Sequence, residues 1–293
     1  MKAAFQGVHG ANSEVAATMM FGKNVSTVPC ARFEDVFNAV ARGKADCGII
    51  PIENSLAGSI HQNYDLLLAH RLHIIREAHL RIVHALMATP GTTMGMIHRV
   101  RSHPQALAQC SNFFLRHSRI EPEAFFDTAG AAESLGKERL PHVGALAAPQ
   151  AAELYGLRIL LNHVENTSDN YTRFLALARK PWKVRTGVPT KCSLAFRPVR
   201  NIPGILFRIL GVFSLRDIDL LKIESRPDPR SPFEYQFYVD LAGSPAEQRV
   251  ANALAHLQEV VSEYRLLGAY PMGTGEVYGS IRGGHGKRTR RGT

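Results

Sequence analysis

The sequence predicts an α/β protein of two domains, a larger one followed by a smaller ferredoxin-like module. At 293 residues the chain is longer than one small domain needs, since a domain has about 150 residues. Up to residue 180, short apolar runs alternate with helical patterns, which is typical of a largely parallel sheet. Beyond residue 190 the patterns follow the order βαββαβ.

In the first domain the predicted strands are short and apolar, and most of them precede a helix. The predicted strands include KAAFQG, STVPC, ADCGIIPI, RIVHALMAT, RVRSH and VGALA. The predicted helices are residues 13–21, FEDVFNAVARG, SIHQNYDLLLAH, HPQALAQCSNFFLRH and PQAAELYGL, the last of which ends at Gly156. Two further apolar runs surround a polar loop within RILLNHVENTSDNYTRFLALARK.

A linker at residues 181–190 separates the domains, because Pro181, Gly187 and Pro189 interrupt every periodic pattern. The second module begins with the strand KCSLAFRP and a helix that has Pro203 near its first turn. It continues with the strands DLLKIESRP and FEYQFYVDLAG, the helix SPAEQRVANALAHLQEVV and the strand YRLLGAYPM.

The net charge of +10 does not indicate a nucleic-acid-binding protein, because half of it lies in the C-terminal tail. From Val277 onward the chain has five Lys and Arg residues, no acidic residue and many glycines. We therefore predict a disordered tail without a specific nucleic-acid partner. The surplus charge on the rest of the chain suits a site for an acidic small molecule.

A cytoplasmic location is expected, because the N-terminus lacks the pattern of a signal peptide and no apolar run approaches about 20 residues. Membrane association is not expected either. The cysteines at 30, 47, 110 and 192 form no C-x-x-C pair, so we expect reduced thiols rather than a metal site or disulfides.

Polar residues at strand ends provide the first candidate site, since open α/β sheets bind ligands there. Glu53, Asn54 and Ser55 follow an apolar run, and Glu53 is suited to proton transfer. Capping of the next helix is an equally good interpretation of Ser55. Gly7 and Gly10 join the first strand to a helix whose free N–H groups attract an anion.

Two further segments carry hydrogen-bonding groups. Ser102 opens a helix with the pattern of a capping box, and Gln109 lies two turns later on the same face. In the polar stretch 166–174, Thr172 can donate a hydrogen bond and Arg173 can bind a carboxylate in a bidentate manner. A solvated loop is the alternative interpretation of that stretch.

Taken together, these motifs resemble those of prephenate dehydratases. Six segments occur here in the same order as in that family: FQGVHGANSE, PIENSLAGSI, RSHPQALAQCSNFF, DTAGAAE, HVGALAAPQAAELYGL and NYTRFLALARK. The second module resembles the phenylalanine-binding ACT domain of the same family, with the segment ESRP at residues 224–227. The resemblance covers residues 1–273, and the combination of TRF with ESRP is specific to this family.

The resemblance implies a lyase that removes water and carbon dioxide from prephenate to give phenylpyruvate, with no metal and no organic cofactor. It implies that Thr172 is essential and contacts the departing hydroxyl. The other catalytic positions matched by the family are Glu53, Asn54, Ser102 and Gln109. We predict that substrate is bound by Arg173, with Ser55 and Thr128 as weaker candidates.

The resemblance also implies a two-lobed catalytic domain like a type II periplasmic binding protein. The predicted boundaries are 1–79 and 159–180 for the first lobe, 80–158 for the second, 181–190 for the linker, 191–272 for the ACT domain and 273–293 for the tail. The chain would cross between lobes near Glu77–Arg81 and Leu157–Leu161. Glu53 and Thr172 then lie on one lobe, opposite Ser102 and Gln109, so that lobe closure assembles the site.

For the ACT domain, the resemblance implies that L-phenylalanine is an allosteric inhibitor bound near a subunit interface of a homodimer or homotetramer. The predicted ligand residues are Gly204, Ile205, Leu206, Glu224, Ser225, Arg226 and Pro227. Ile205 replaces the alanine that is more usual in the family. The alternatives are an arogenate dehydratase, whose motifs are almost the same, and a non-catalytic amino-acid sensor, which Glu53, Asn54 and the TRF motif disfavour.

Overall fold

The structure is a computed structural model that describes residues 1–185, 187–200, 202–228 and 231–273. The predicted basic tail, from residue 274 onward, lies outside the described residues. The chain divides into two compact units, one of Met1–Leu66 and Ala78–Phe174 and the other of Leu67–Glu77 and Leu175–Gly273. No described helix combines the length and the apolar character needed to cross a membrane.

The first lobe contains a sheet of order β2-β1-β3-β11-β5, in which β11 is Tyr171–Ala178 and β4 pairs with β3. Its elements in chain order are β1 (Lys2–Gln6), α1 (Asn12–Phe21), β2 (Ser26–Cys30), α2 (Phe33–Ala41), β3 (Cys47–Asn54), β4 (Gly58–Ser59), α3 (His61–Ala69) and β5 (His73–Arg81). Strand β1 is parallel to both β2 and β3. A Cβ atom at Gly48 would lie 2.8 Å from Val36, so glycine allows α2 to pack directly on β3.

The second lobe contains a five-stranded sheet of order β10-β6-β9-β7-β8. Its elements are β6 (Ala85–Ala88), β7 (Arg99–Ser102), α4 (Pro104–Gln109), α5 (Ser111–Arg116), β8 (Glu121–Ala124), α6 (Thr128–Glu138), β9 (Val143–Ala147), α7 (Gln150–Leu154) and β10 (Arg158–Leu161). Strand β7 is parallel to β8 and β9, whereas β6 is antiparallel to β9 and β10. Small alanines let α6 and α7 approach this sheet closely.

The crossings between the lobes lie later in the chain than predicted. Strand β5 belongs to the first sheet as far as Arg81, and β10 still belongs to the second sheet. The crossings are therefore residues 82–84 and 162–170, after which β11 (Tyr171–Ala178) returns to the first sheet. Val164 donates its backbone N–H to the carbonyl of His84 (2.9 Å), which joins the two crossings.

Several local predictions need correction. The single helix predicted from His103 to His117 is two helices, because the backbone at Cys110 (φ −111°, ψ 20°) is not helical. His103, rather than Ser102, is the N-cap of α4, since its ring accepts from the N–H of Gln105. Strands β5 and β8 and helix α6 were not predicted from the sequence. The four cysteines are free, and Cys47, Cys110 and Cys192 are buried.

The second module has the predicted order βαββαβ. Its elements are β12 (Thr190–Pro198), α8 (Ile205–Ser214), β13 (Leu220–Asp228), β14 (Ser231–Ala242), α9 (Gln248–Val260) and β15 (Val261–Pro271). The antiparallel sheet has the order β13-β14-β12-β15, with both helices packed on a core that includes Phe196, Phe213 and Leu257. This is the ferredoxin-like arrangement predicted for the module.

Within the second unit, Lys191 of β12 forms a buried ion pair with Glu77 of β5. The Lys191 ammonium lies 2.8 Å from the Glu77 carboxylate, and both side chains are almost completely buried. Glu77 also accepts the backbone N–H of Gly273 (2.9 Å). A buried charge is tolerated only when it is paired, so these groups depend on each other.

Candidate active site

A cleft of about 520 Å³ lies within the first compact unit and is lined by residues of both lobes. This volume suits a ligand the size of a small metabolite. The first lobe contributes the start of α1, the end of β3 and strand β11. The second lobe contributes α4, the start of α6 and the crossing residues Ile82 and His84.

Strand alternation determines which residues of the TRF segment reach the cleft. Thr172 and Phe174 line it, whereas Arg173 between them does not. Successive side chains of a strand point to opposite faces, so Arg173 lies on the other face of β11, where it is buried. A direct contact between Arg173 and a ligand in the cleft would require its side chain to leave this face. Its carboxylate-binding role stays a prediction.

Asn54, the last residue of β3, is held in one orientation by the turn that follows. Its Oδ1 accepts the backbone N–H groups of Leu56 (3.1 Å) and Ala57 (2.9 Å). Its Nδ2 therefore faces β11, 2.7 Å from Asn170 Oδ1 and 3.0 Å from Thr172 Oγ1. An amide nitrogen only donates, so Thr172 Oγ1 accepts this bond and its own hydrogen remains available to a ligand.

The hydrogen-bonded network continues from Asn170 into the second lobe. Asn170 Nδ2 donates to Gln109 Oε1 (3.0 Å), and the His84 ring nitrogen Nε2 lies 3.1 Å from the same oxygen. Gln109 is half-buried and lines the cleft, whereas Asn170 is almost fully buried behind it. Thr172 lies on β11 of the first lobe and Gln109 ends α4 of the second, and the buried amide of Asn170 connects Gln109 to Asn54, which bonds Thr172.

The first turn of α1 lies at the cleft. Ala11, Asn12 and Ser13 line it, and no side chain caps this helix start. The glycines at 7 (φ +113°) and 10 (φ +85°) turn the chain from β1 into α1 with backbone angles that favour glycine. An uncapped helix start carries partial positive charge and binds anions.

The start of α6 is different, because Asp127 caps it. The carboxylate accepts the N–H groups of Ala129 (2.7 Å) and Gly130 (3.2 Å), and Thr128 beside it lines the cleft. Burial raises the pKa of Asp127, although the two backbone N–H groups oppose this shift. Asp127 is also the only carboxylate among the described residues that line the cleft.

The other predicted site residues lie away from the cleft lining. Ser102 is fully buried and donates its hydroxyl hydrogen to the carbonyl of Leu146 (2.6 Å). Ser55 bonds the carbonyl of Asp169 and the N–H of Tyr171, each at 2.9 Å, and so holds the polar loop against the end of β3. Glu53 precedes Asn54 on β3 and faces the opposite side of the sheet.

Sequence reasoning missed His84, Asn170 and Asp127 as individual residues. A histidine inside the apolar run RIVHALMAT was a signal, because a buried polar side chain in such a run needs a hydrogen-bond partner. Asn170 lay within the polar stretch singled out, but nothing distinguished it from its neighbours. Its importance comes from pairing with Asn54 and Gln109, which are far away in sequence.

Two α/β lobes around a polar cleft, followed by a βαββαβ module, define a small-molecule enzyme domain with an attached ligand-sensing domain. The family model described as prephenate dehydratase matches residues 3–182, and that of the ACT domain matches residues 199–257. The chain therefore belongs to the prephenate dehydratase family and is a dehydratase. This confirms the predicted type of catalytic domain and the ACT domain.

Two individual relatives have names that agree with this assignment, and a third is described by another activity. The chain is 46% identical over 286 residues to arogenate dehydratase/prephenate dehydratase 1, chloroplastic, of Arabidopsis thaliana, covering 93% of this chain and 72% of the relative. It is 32% identical, with a TM-score of 0.85, to a prephenate dehydratase of Arthrobacter aurescens solved in complex with L-Phe, covering 92% and 90% of the two chains. A structure described as GqqA, a novel type of quorum quenching acylase, is 34% identical with the same TM-score, covering 93% and 98%.

Proposed function

We propose that this protein converts prephenate to phenylpyruvate, with release of water and carbon dioxide. The observation that carries the proposal is the hydroxyl of Thr172, which lines the cleft and accepts a hydrogen bond from Asn54 Nδ2. The hydroxyl hydrogen is thereby left for the ring hydroxyl of the substrate. Among the described residues, no protein group accepts that hydrogen.

The reaction needs a departing hydroxyl and a departing carboxylate on the same ring. As the carbon–carboxyl bond breaks, its electron pair enters the ring and the carbon–oxygen bond breaks, which makes the ring aromatic. Negative charge develops on the departing oxygen, and a fixed donor placed there stabilises the transition state more than the substrate. Threonine is a weak acid, so Thr172 donates a hydrogen bond and keeps its proton, and the departing hydroxide becomes water by taking a proton from solvent.

The uncapped start of α1 is suited to hold a carboxylate of the substrate. Prephenate carries two carboxylates, one on the ring and one on the side chain. The side-chain carboxylate survives the reaction and benefits from fixed donors throughout. The backbone N–H groups at Asn12 and Ser13 can supply them without any charged side chain.

The small number of acidic groups in the cleft supports prephenate as the proposed substrate, since arogenate has an ammonium group where prephenate has a ketone. Asp127 is the only carboxylate among the described lining residues, and its Oδ1 accepts the backbone N–H groups of Ala129 and Gly130. Burial also disfavours its charged form. The cleft thus offers an ammonium group a single carboxylate. Arogenate remains the second candidate, favoured by the names of curated relatives such as that from Arabidopsis thaliana.

The test supplies the purified full chain with prephenate and arogenate separately and identifies the products by mass spectrometry. We expect phenylpyruvate from prephenate, with kcat/KM higher than for arogenate. The isosteric Thr172→Val variant is the control that links turnover to the cleft. A higher kcat/KM for arogenate than for prephenate would mean that the protein is an arogenate dehydratase. Binding of L-phenylalanine without turnover of either substrate would indicate an amino-acid sensor.

L-phenylalanine is proposed as the effector of the ACT domain. Gly204, the N-cap of α8, has φ +77°, and Ser225 is exposed on β13, which is an edge strand of its sheet. The match to the ACT domain includes both segments, and the related prephenate dehydratase from Arthrobacter aurescens holds L-Phe. An exposed sheet edge also suits a subunit contact.

A further inference from the structure

The hydrogen-bond network behind the cleft has a fixed direction, which begins at the turn after β3. Asn54 Oδ1 accepts two backbone N–H groups, so its amide cannot flip without leaving both unpaired. Its Nδ2 is therefore the donor to Asn170 Oδ1. Since Asn170 Oδ1 is an acceptor, Asn170 Nδ2 is the donor to Gln109.

This direction determines the protonation of His84. Gln109 Oε1 accepts from Asn170, and His84 Nε2 lies 3.1 Å from that same oxygen. Two acceptors do not bond each other, so Nε2 carries the hydrogen and Nδ1 carries the lone pair. Nδ1 is buried and has no hydrogen-bond partner among the described residues. A second proton on Nδ1 would therefore gain no acceptor.

The crossing between the lobes holds the ring in place. His84 is 2% exposed, and its backbone N–H donates to Glu165 Oε2 (3.0 Å). Its carbonyl accepts the N–H of Val164 from the other crossing (2.9 Å). Burial lowers the pKa of His84, against smaller opposite effects of Gln109 and Glu165. The imidazole is consequently neutral at neutral pH.

Two donors thus converge on Gln109 Oε1, and the amide nitrogen Nε2 of Gln109 must point the other way. Among the described residues no protein group accepts from this nitrogen, and Gln109 lines the cleft. We infer that His84, as its Nε2–H tautomer, is a positioning residue that fixes the Gln109 carboxamide with its N–H₂ group toward the substrate. This inference rests on the proposed function of the cleft.

The test compares three variants that differ in where they place a donor. In His84→Gln the amide nitrogen can occupy the place of Nε2, whereas in His84→Asn it can occupy only that of Nδ1. His84→Leu provides no donor. We expect His84→Gln to retain most of kcat, and the Asn and Leu variants to lose about 10²-fold, the cost of a misplaced contact of this kind.

A double-mutant cycle separates this role from general structural damage. If His84 acts through Gln109, then His84→Leu lowers kcat much less in a Gln109→Ala background than in the wild type. Equal losses in both backgrounds, or equal activity of the Gln and Asn variants, would overturn the inference. Thermal unfolding of each variant, with and without L-phenylalanine, checks that the compared proteins are folded.

The tautomer itself gives a readout that does not depend on turnover. With ¹⁵N-labelled histidine, the His84 signal, assigned by its loss in His84→Gln, should show a protonated Nε2 and an unprotonated Nδ1. The opposite tautomer, or a doubly protonated ring at neutral pH, would refute the inference. If the wild type fails to convert prephenate and arogenate, the proposed function fails, while the tautomer measurement still decides the geometry around Gln109.

Discussion

Replacing Thr172 by valine removes one hydroxyl and keeps the shape of the side chain. Asn54 Nδ2 loses one acceptor but keeps Asn170 Oδ1 at 2.7 Å and the carbonyl of Tyr171 at 3.1 Å. Its two hydrogens therefore still have two acceptors, and no buried donor is left unpaired. We expect the free energy of unfolding to change by less than about 1 kcal/mol, because the larger penalty of an unsatisfied group is avoided.

The effect on catalysis should be much larger than that on stability. Loss of one transition-state donor costs about 10²–10³-fold in kcat, or about 2.7–4 kcal/mol. Thr172→Ser keeps the hydroxyl and should retain much more activity. The measurement is steady-state formation of phenylpyruvate from prephenate, with KM changing little because the bond strengthens only in the transition state. Equal, near wild-type kcat values for the Val and Ser variants would refute this role.

Three further predictions concern other parts of the chain. Lys191→Met should destabilise the protein by about 3–5 kcal/mol in chemical unfolding, because it removes the cation that neutralises the buried Glu77 carboxylate, whereas adding Glu77→Gln should restore most of the loss. Since burial raises the native pKa of Asp127, its ionisation opposes folding above that pKa. Asp127→Asn should therefore stabilise the protein at neutral pH, and the gain should shrink as the pH falls below the native pKa. Ser225→Lys should weaken L-phenylalanine binding measured by calorimetry, and unchanged affinity would place the effector elsewhere.

The fold could be predicted largely from periodicity, because most strands are short apolar runs between turn residues. The central strand β3 begins with four buried residues, and the alternation in the ACT domain gave the order βαββαβ. The elements that were missed lack this signal. Helix α6 buries mainly alanine and glycine, and β8 has the sequence EPEA with little burial. Strand β5 contains Glu77, whose burial depends on Lys191 far away in sequence.

The candidate site could be predicted only in part, because a motif does not show which way a side chain points. The motifs identified Asn54, Gln109 and Thr172, which line the cleft, together with Ser102 and Arg173, which do not. Ser102 ends a strand instead of starting a helix, so its hydroxyl bonds a neighbouring carbonyl. Such differences of one residue in an element boundary reverse the direction of a side chain.

Two backbone N–H groups determine the direction of every hydrogen bond in this network. Those of Leu56 and Ala57 fix the oxygen of Asn54, which fixes its nitrogen toward β11. From there one branch gives Thr172 Oγ1 its hydrogen bond, which leaves the hydroxyl hydrogen for the contact proposed with the departing hydroxyl, and the other runs through the buried Asn170 to Gln109. None of these side chains needs a charge, and donors that are fixed in direction stabilise the charge that develops in a transition state. A turn of the backbone thereby determines which atoms of the cleft donate to the substrate.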